Sequence, residues 1–241
     1  MGTWSTVELN GRRTEVFDPG RRRFALIYLH DGERRSMLDE QVITPVLERL
    51  GLACLCPDGG QCWWTDRCCP DLRNNTSAEE LVVQFALPFA RQRWKLAERS
   101  IGLFGFGMGG QGALRIAFKY PDLFPAVAGI ASEIDCHQLY GRGTSLDDMY
   151  ESPEQCRQDT AIMHIHPSEQ PRHIEFCCHP DDVWFRGNDR LHEKLNALGV
   201  AHQCDLTTGD GGQSWDYFQR SAAGILSRLA AALELEGRRL L

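Results

Sequence analysis

The sequence predicts one α/β domain built on a mostly parallel central sheet with helices on both faces. Three observations carry that expectation. Short, uninterrupted apolar runs, of which Phe24–Leu29 and Ala126–Ile130 are the clearest, read as strands buried on both faces. Segments with helical spacing of apolar residues fall between them, and strands alternating with helices build parallel units. A glycine-rich turn, Gly105-Phe106-Gly107-Met108-Gly109-Gly110, joins one such strand directly to a helix. In sheets of this kind ligands bind beyond the carboxyl ends of the strands.

Residues 3–18 alternate weakly around Asn10-Gly11, a pair that suits a two-residue hairpin turn, so an antiparallel ribbon opens the fold. Phe24–Leu29 is the first core strand and ends in the polar turn His30-Asp31-Gly32-Glu33. Apolar spacing over 38–50 predicts a helix, and 52–56 the next strand, on which Cys54 and Cys56 face one layer. A long loop with Pro57, Gly59, Gly60, Trp63, Trp64 and Pro70 follows; such loops usually serve function or lack order. Thr76-Ser77 ahead of Glu79-Glu80 marks a helix start, and helical spacing continues over 81–96 with a kink expected at Pro88. Residues 100–104 feed the glycine turn, and the helix after it runs to Tyr120, before Pro121. Ala126–Ile130 and 173–178 are further strands, separated by a mixed-polarity segment, about 133–170, that reads as an inserted loop or cap. The chain closes with a helix at 191–198, a strand at 201–206 and an amphipathic helix at 214–235. One domain over 1–241 accommodates all of this without internal repeats.

A charged fraction of 24% and a hydrophobic fraction of 42% are ordinary for a globular domain. The net charge of -7 excludes the basic footprint that nucleic acid or an anionic membrane surface requires, and Arg21-Arg22-Arg23 is too short to reverse it. The start lacks a basic segment followed by an apolar one, so a cytoplasmic protein is expected. Several of the ten cysteines sit in core strands, and Cys68-Cys69 and Cys177-Cys178 are adjacent pairs ill-suited to disulfide geometry. Most are therefore read as reduced thiols, with Cys62, Cys68 and Cys69 as spectators rather than zinc ligands or a nucleophile. His164-Ile165-His166 has two-ligand strand spacing and His30 ends a strand, but no third ligand is placed; no metal and no cofactor are expected.

The glycine turn has the spacing of a nucleophile elbow, whose central residue exposes its side chain above the sheet and whose next backbone N–H faces an oxyanion. Its central residue is Gly107, which has nothing with which to attack. Gly105 to Ala113, Asp181-Asp182-Val183-Trp184-Phe185 and Gly211-Gly212-Gln213-Ser214-Trp215-Asp216-Tyr217 together resemble the esterase D branch of the α/β-hydrolase superfamily, which includes S-formylglutathione hydrolases. The resemblance covers about 26–229 and implies the α/β-hydrolase fold and serine-type hydrolysis of carboxylic esters, with nucleophile, acid and base in that chain order. It places the nucleophile position at Gly107, the acid at Asp182 with Asp181 as the other choice, and the base at Gln213. Glutamine cannot accept and return a proton near neutral pH. The oxyanion hole would use the N–H of Met108 and one from Asp31 or Gly32, and Trp63, Trp64 and Trp215 are expected to line the pocket.

Loss of nucleophile or base from such a triad leaves about 10³–10⁴-fold acceleration over water, and losing both costs little more. The expectation is a catalytically degenerate esterase that keeps a pocket for a small ester or acyl ligand. Two alternatives stand beside it: an active ester hydrolase in which Gln213 or Asp182 orients water, and a non-enzymatic regulatory or scaffolding partner. Homo-oligomerisation is compatible with each; nucleic-acid and membrane partners are not expected.

Overall fold

A computed structural model describes residues 2–38, 40–72, 76–209 and 214–239. Its eight strands form one sheet in the order β1-β2-β4-β3-β5-β6-β7-β8. The antiparallel end is the expected ribbon, β1 (Thr3–Leu9) and β2 (Arg12–Asp18), closed by Asn10 and Gly11 at φ 47° and 75°. Paired positive φ values match the twist of a two-residue hairpin. β2 then pairs antiparallel with β4 (Leu52–Pro57). From β4 onward every neighbour is parallel: β3 (Phe24–Leu29), β5 (Ile101–Phe106), β6 (Ala126–Ile130), β7 (His173–Cys177) and β8 (Gln203–Asp205).

Alternation along these strands divides the interior into two layers. Ala25, Ile27, Leu29 and Leu103 face one layer with Leu114 and Ile116 of α4 (Met108–Lys119). Leu26, Tyr28, Phe104 and Phe106 face the other, against Leu47 of α1 (Ile43–Leu50) and Phe218, Ile225 and Leu229 of α8 (Trp215–Arg239). Cys54 and Cys56 share the second layer, as expected, with their sulfurs 3.6 Å apart. Each such apolar side chain contributes about 1.5–3 kcal/mol on burial, which makes strands buried on both faces the firmest part of the fold.

Several boundaries differ from the sequence expectation. α1 begins at Ile43 rather than near residue 38, because the Glu15 carboxylate takes the N–H groups of Met37 and Leu38, at 3.0 and 3.1 Å, and holds them outside the helix. Glu40 then accepts the N–H groups of Val42 and Ile43. The helix expected to kink at Pro88 starts as predicted, with a Ser77–Glu80 capping box at α2 (Ala78–Glu80). It then widens into a π-helical stretch, Leu81–Ala86, before α3 (Leu87–Trp94). The Leu87 N–H reaches back to Val82, so the wider pitch absorbs the disruption and Pro88 sits in the first turn of α3, where its missing N–H costs nothing.

The segment after β6 folds as short turns with α5 (Leu146–Met149) and α6 (Pro153–Gln158). Fully buried Arg115 on α4 anchors it, bonding the Asp159 carbonyl at 3.0 Å and carboxylate at 2.9 Å through Nε while pairing with Glu79 and Asp66. α7 (Phe185–Ala197) starts earlier than the expected 191–198; its first turns are polar, with buried Asn188 donating to the Ser132 and Trp184 carbonyls. Within the long loop, Cys62 and Cys69 form a disulfide, which corrects their reading as spectator thiols and removes both as nucleophiles. The other eight cysteines are free.

Candidate active site

Chain direction through the sheet reverses beside β3. From β3 the chain crosses to β4 on one side, whereas β5 returns to the other side of β3 and the path continues outward to β8. The loops leaving β3 and β5 therefore part, opening a crevice at their carboxyl ends. Residues 30–35 and the glycine turn meet there.

The turn is a sharp strand-to-helix elbow. Gly107 adopts φ 56° and ψ -119°, a conformation that a β-carbon would strain. Its N–H donates to the Ile130 carbonyl at 3.0 Å, and its own carbonyl accepts from Glu133 and Gln111, each at 3.1 Å. Close approach explains Gly109: a β-carbon there would lie 1.8 Å from the Leu29 carbonyl oxygen. Gly107 is different, since its β-carbon would find room except for Glu133 Oε1 at 3.0 Å.

A cavity of about 270 Å³ lies over this turn, with Asp31, Arg35, Phe106, Gly107, Glu133 and Trp184 among its walls. A similar cavity of about 300 Å³ at the β7–β8 edge, among Arg172, His202 and Arg228, lies away from the elbow. Asp31 is buried at the end of β3; its Oδ1 accepts the Arg35 N–H at 3.1 Å, and burial raises its pKa against the pull of that N–H and the guanidinium. Gly32 lines the same cavity. The Met108 N–H, the expected oxyanion donor, lies near enough to Glu133 to favour its ionised form.

Asp182 and Asp181 separate clearly: Asp181 is exposed, whereas Asp182 is 7% exposed on the turn after β7. Asp182 Oδ1 accepts the Trp184 N–H at 2.7 Å, and Oδ2 has no hydrogen-bond partner among the described residues. Burial raises the pKa of Asp182 against that N–H and nearby His179. Gln213 lies outside the described residues; its neighbour Ser214 reaches the cavity wall.

The tryptophans fall elsewhere than expected. Trp63 and Trp64 are buried beneath the surface, and Trp64 packs against Gly112 of α4 while its indole N–H donates to the His30 carbonyl at 3.1 Å. They support the elbow from the core and do not line the cavity; the large indole area favours that burial. Trp215 stands behind the wall, edge-on to Phe106 at 6.0 Å and under the Arg35 guanidinium at 5.3 Å. His164 lies in a 3-10 turn beside Asp159 at 2.9 Å rather than on a strand, and His30 uses both ring nitrogens, toward the Asp31 carbonyl and the Gly59 N–H. No group of three metal-ligating side chains occurs among the described residues.

Glu133 is the residue that sequence reasoning missed. It stands three positions beyond β6, at the edge of a segment read only as an insertion, and no periodicity marks it. Burial, with the charges of Asp31 and Asp182, pushes its carboxyl up to about 7, against the stabilising Met108 N–H. Two carboxyl groups of raised pKa, Asp31 and Glu133, thus line the cavity around a position without a side chain, and the buried Asp182 stands behind them. Glu133 can exchange a proton near neutrality, but Gly107 offers no atom to form an acyl-enzyme.

A largely parallel sheet that reverses at β3, a glycine elbow between β5 and α4, and a buried carboxylate after β7 define an α/β-hydrolase. The Esterase family model, described as "Putative esterase", matches residues 8–229, and the chain belongs to that family. No curated protein sequence matches it significantly. Among solved structures, a ferulic acid esterase superposes with a TM-score of 0.74 at 16% identity, covering 97% of this chain and 98% of its own. An S-formylglutathione hydrolase from Agrobacterium tumefaciens gives 0.74 at 15% identity, with coverage of 96% and 94%. One from Staphylococcus aureus gives 0.76 at 12%, with coverage of 95% and 99%. At these identities the likeness shows the shared fold.

Proposed function

We propose that this esterase-family α/β-hydrolase is a pseudo-esterase: it holds a small ester or acyl ligand over the elbow without transferring the acyl group to itself. One observation carries the reading. Gly107 takes the central position of an intact elbow, at the floor of a cavity of about 270 Å³, and leaves the reacting position without a nucleophile. Asp182 in the acid position and glutamine in the base position complete a set in which no member can relay a proton from a hydroxyl. The main-chain donors do not depend on side chains and survive such changes.

The test pairs turnover with binding. Purified protein is expected to show no hydrolysis of short-chain p-nitrophenyl esters above a heat-treated control, while thermal-shift titration with neutral esters raises Tm. Turnover that follows the protein through purification and disappears in Asp182→Asn would replace this reading by hydrolysis with an oriented water. Glu133, half-buried in the cavity wall, is the observation that favours that second reading, since a carboxyl of raised pKa can take a proton from water.

A further inference from the structure

We propose that Glu133 is an internal occupant of the elbow's oxygen site, so that an acyl ligand presenting a carboxylate or carbonyl oxygen to the Met108 N–H must first displace it. This rests on the acyl-pocket reading above. The main-chain N–H that follows the elbow favours the ionised Glu133 carboxylate beside it. Oε1 of the same carboxylate lies 3.0 Å from where a β-carbon on Gly107 would stand, so it fills the space above the turn. Glu133 forms no ion pair among the described residues, so no cation fixes it in that place.

Backbone bonds separate what is fixed from what can move. The Glu133 N–H donates to the Gly107 carbonyl and its carbonyl accepts from Cys136, each at 3.1 Å, which pins the main chain to the elbow. The side chain is fixed by no ion pair among the described residues and faces a cavity into which it can swing. Around it stand Asp31, Glu33 and Arg35 from the loop after β3, and Asp182 and His179 from the loop after β7. Arg35 is engaged with Glu33 at 2.6 Å and lies 3.6 Å from Asp31. An ionised Glu133 therefore competes with an incoming carboxylate twice, by filling the space beside the Met108 N–H, which favours its charge, and by repelling the ligand's charge; a protonated Glu133 does neither as well.

Two consequences follow. Carboxylate ligands bind better on the acid side of neutrality. Restoring serine at 107 and histidine at 213 brings the new hydroxyl against Glu133, so the double variant remains blocked until position 133 is also opened.

Calorimetry with phenylacetate as the anionic probe and methyl phenylacetate as the neutral one, at pH 6 and 8, tests this on the full chain and on Glu133→Ala and Glu133→Gln. Wild type is expected to bind phenylacetate ~10-fold more tightly at pH 6 than at pH 8, the size of one charge-assisted contact. Glu133→Ala should bind ~10-fold more tightly than wild type at pH 8. Glu133→Gln should lose most of the pH dependence yet remain weaker than Glu133→Ala, because its amide still fills the space above the turn. Equal phenylacetate affinity in wild type and Glu133→Ala at both pH values overturns the proposal. So does binding of the neutral probe alone in every variant, which leaves the acyl pocket standing. Failure of both probes in every folded variant overturns the pocket and the proposal together. A double variant Gly107→Ser, Gln213→His as active on p-nitrophenyl acetate as the triple variant with Glu133→Ala also overturns it.

Discussion

Two acidic clusters in this molecule use the same residue types to opposite ends. On the outer side of α4, Glu79, Asp66 and Asp159 surround Arg115 and Lys119, and Tyr120 and Tyr150 donate to Glu79 and Asp159 at 2.8 and 2.7 Å. Burial raises the pKa of Asp159, yet bonding from His164 and the Arg115 charge prevail and hold it below the usual carboxylate range; Asp66 is likewise lowered by Lys119 and Arg115. Over the elbow, Asp31, Glu133 and Asp182 are all raised, with burial as the first cause of each. Paired carboxylates of lowered pKa fasten the segment after β6 to the core. Those of raised pKa, of which Asp31 and Glu133 face a cavity, mark where the molecule can meet a ligand.

The largest effect is expected from breaking the paired cluster. Arg115→Leu removes the buried cation that Glu79 and Asp159 share, leaving them only the more exposed Lys119 and His164, and should cost about 3–5 kcal/mol in urea denaturation. A loss below about 1 kcal/mol would erase the contrast between the clusters.

Gly107→Ala should cost about 1–3 kcal/mol, because it puts a β-carbon at φ 56° and against Glu133. Its Tm would show this, and an unchanged Tm would mean that the turn relaxes freely.

The Glu133 carboxyl gives a pH signature of opposite sign to that of Asp159. With a folded value of about 7 against an ordinary 4.5, the folded state binds more protons between those values. Stability from this group is therefore complete below about 4.5 and falls as pH rises through 7, by about 2 kcal/mol once its partial exposure is allowed for. Glu133→Gln should remove that slope in denaturation at pH 5, 6.5 and 8; an unchanged slope would place the titration on another group.

The smallest effect is expected at Asp182. Asp182→Asn should change stability by no more than about 1 kcal/mol at pH 8, since its Oδ1 contact survives and Oδ2 has no partner to lose. A loss above about 2 kcal/mol would show that Asp182 is as firmly paired as Asp159.

Strands were legible because burial on both faces leaves an uninterrupted apolar signature: Phe24–Leu29 and Ala126–Ile130 have the bounds expected for them. The elbow was legible because Gly109 admits no other residue against Leu29. Helix ends were less so, since the start of α1 is decided by Glu15 from another strand. Trp63 and Trp64 have the composition of a pocket wall, but only packing against α4 decides which side of the loop they face. Glu133 was invisible for the same reason. Its meaning comes from Gly107, Asp31 and Asp182, three loops distant in sequence and joined only by the topology of the sheet.

The backbone bonds from Gly107 to Ile130 and from Glu133 to Gly107 have a consequence for how this site can change. Both ends of the turn are sewn to the neighbouring strand and its loop through peptide groups alone, so the scaffold's shape is insulated from the identity of its chemistry-bearing side chains. A lineage, or an engineer, can exchange residues 107 and 133 while the cradle that would present them stays in place.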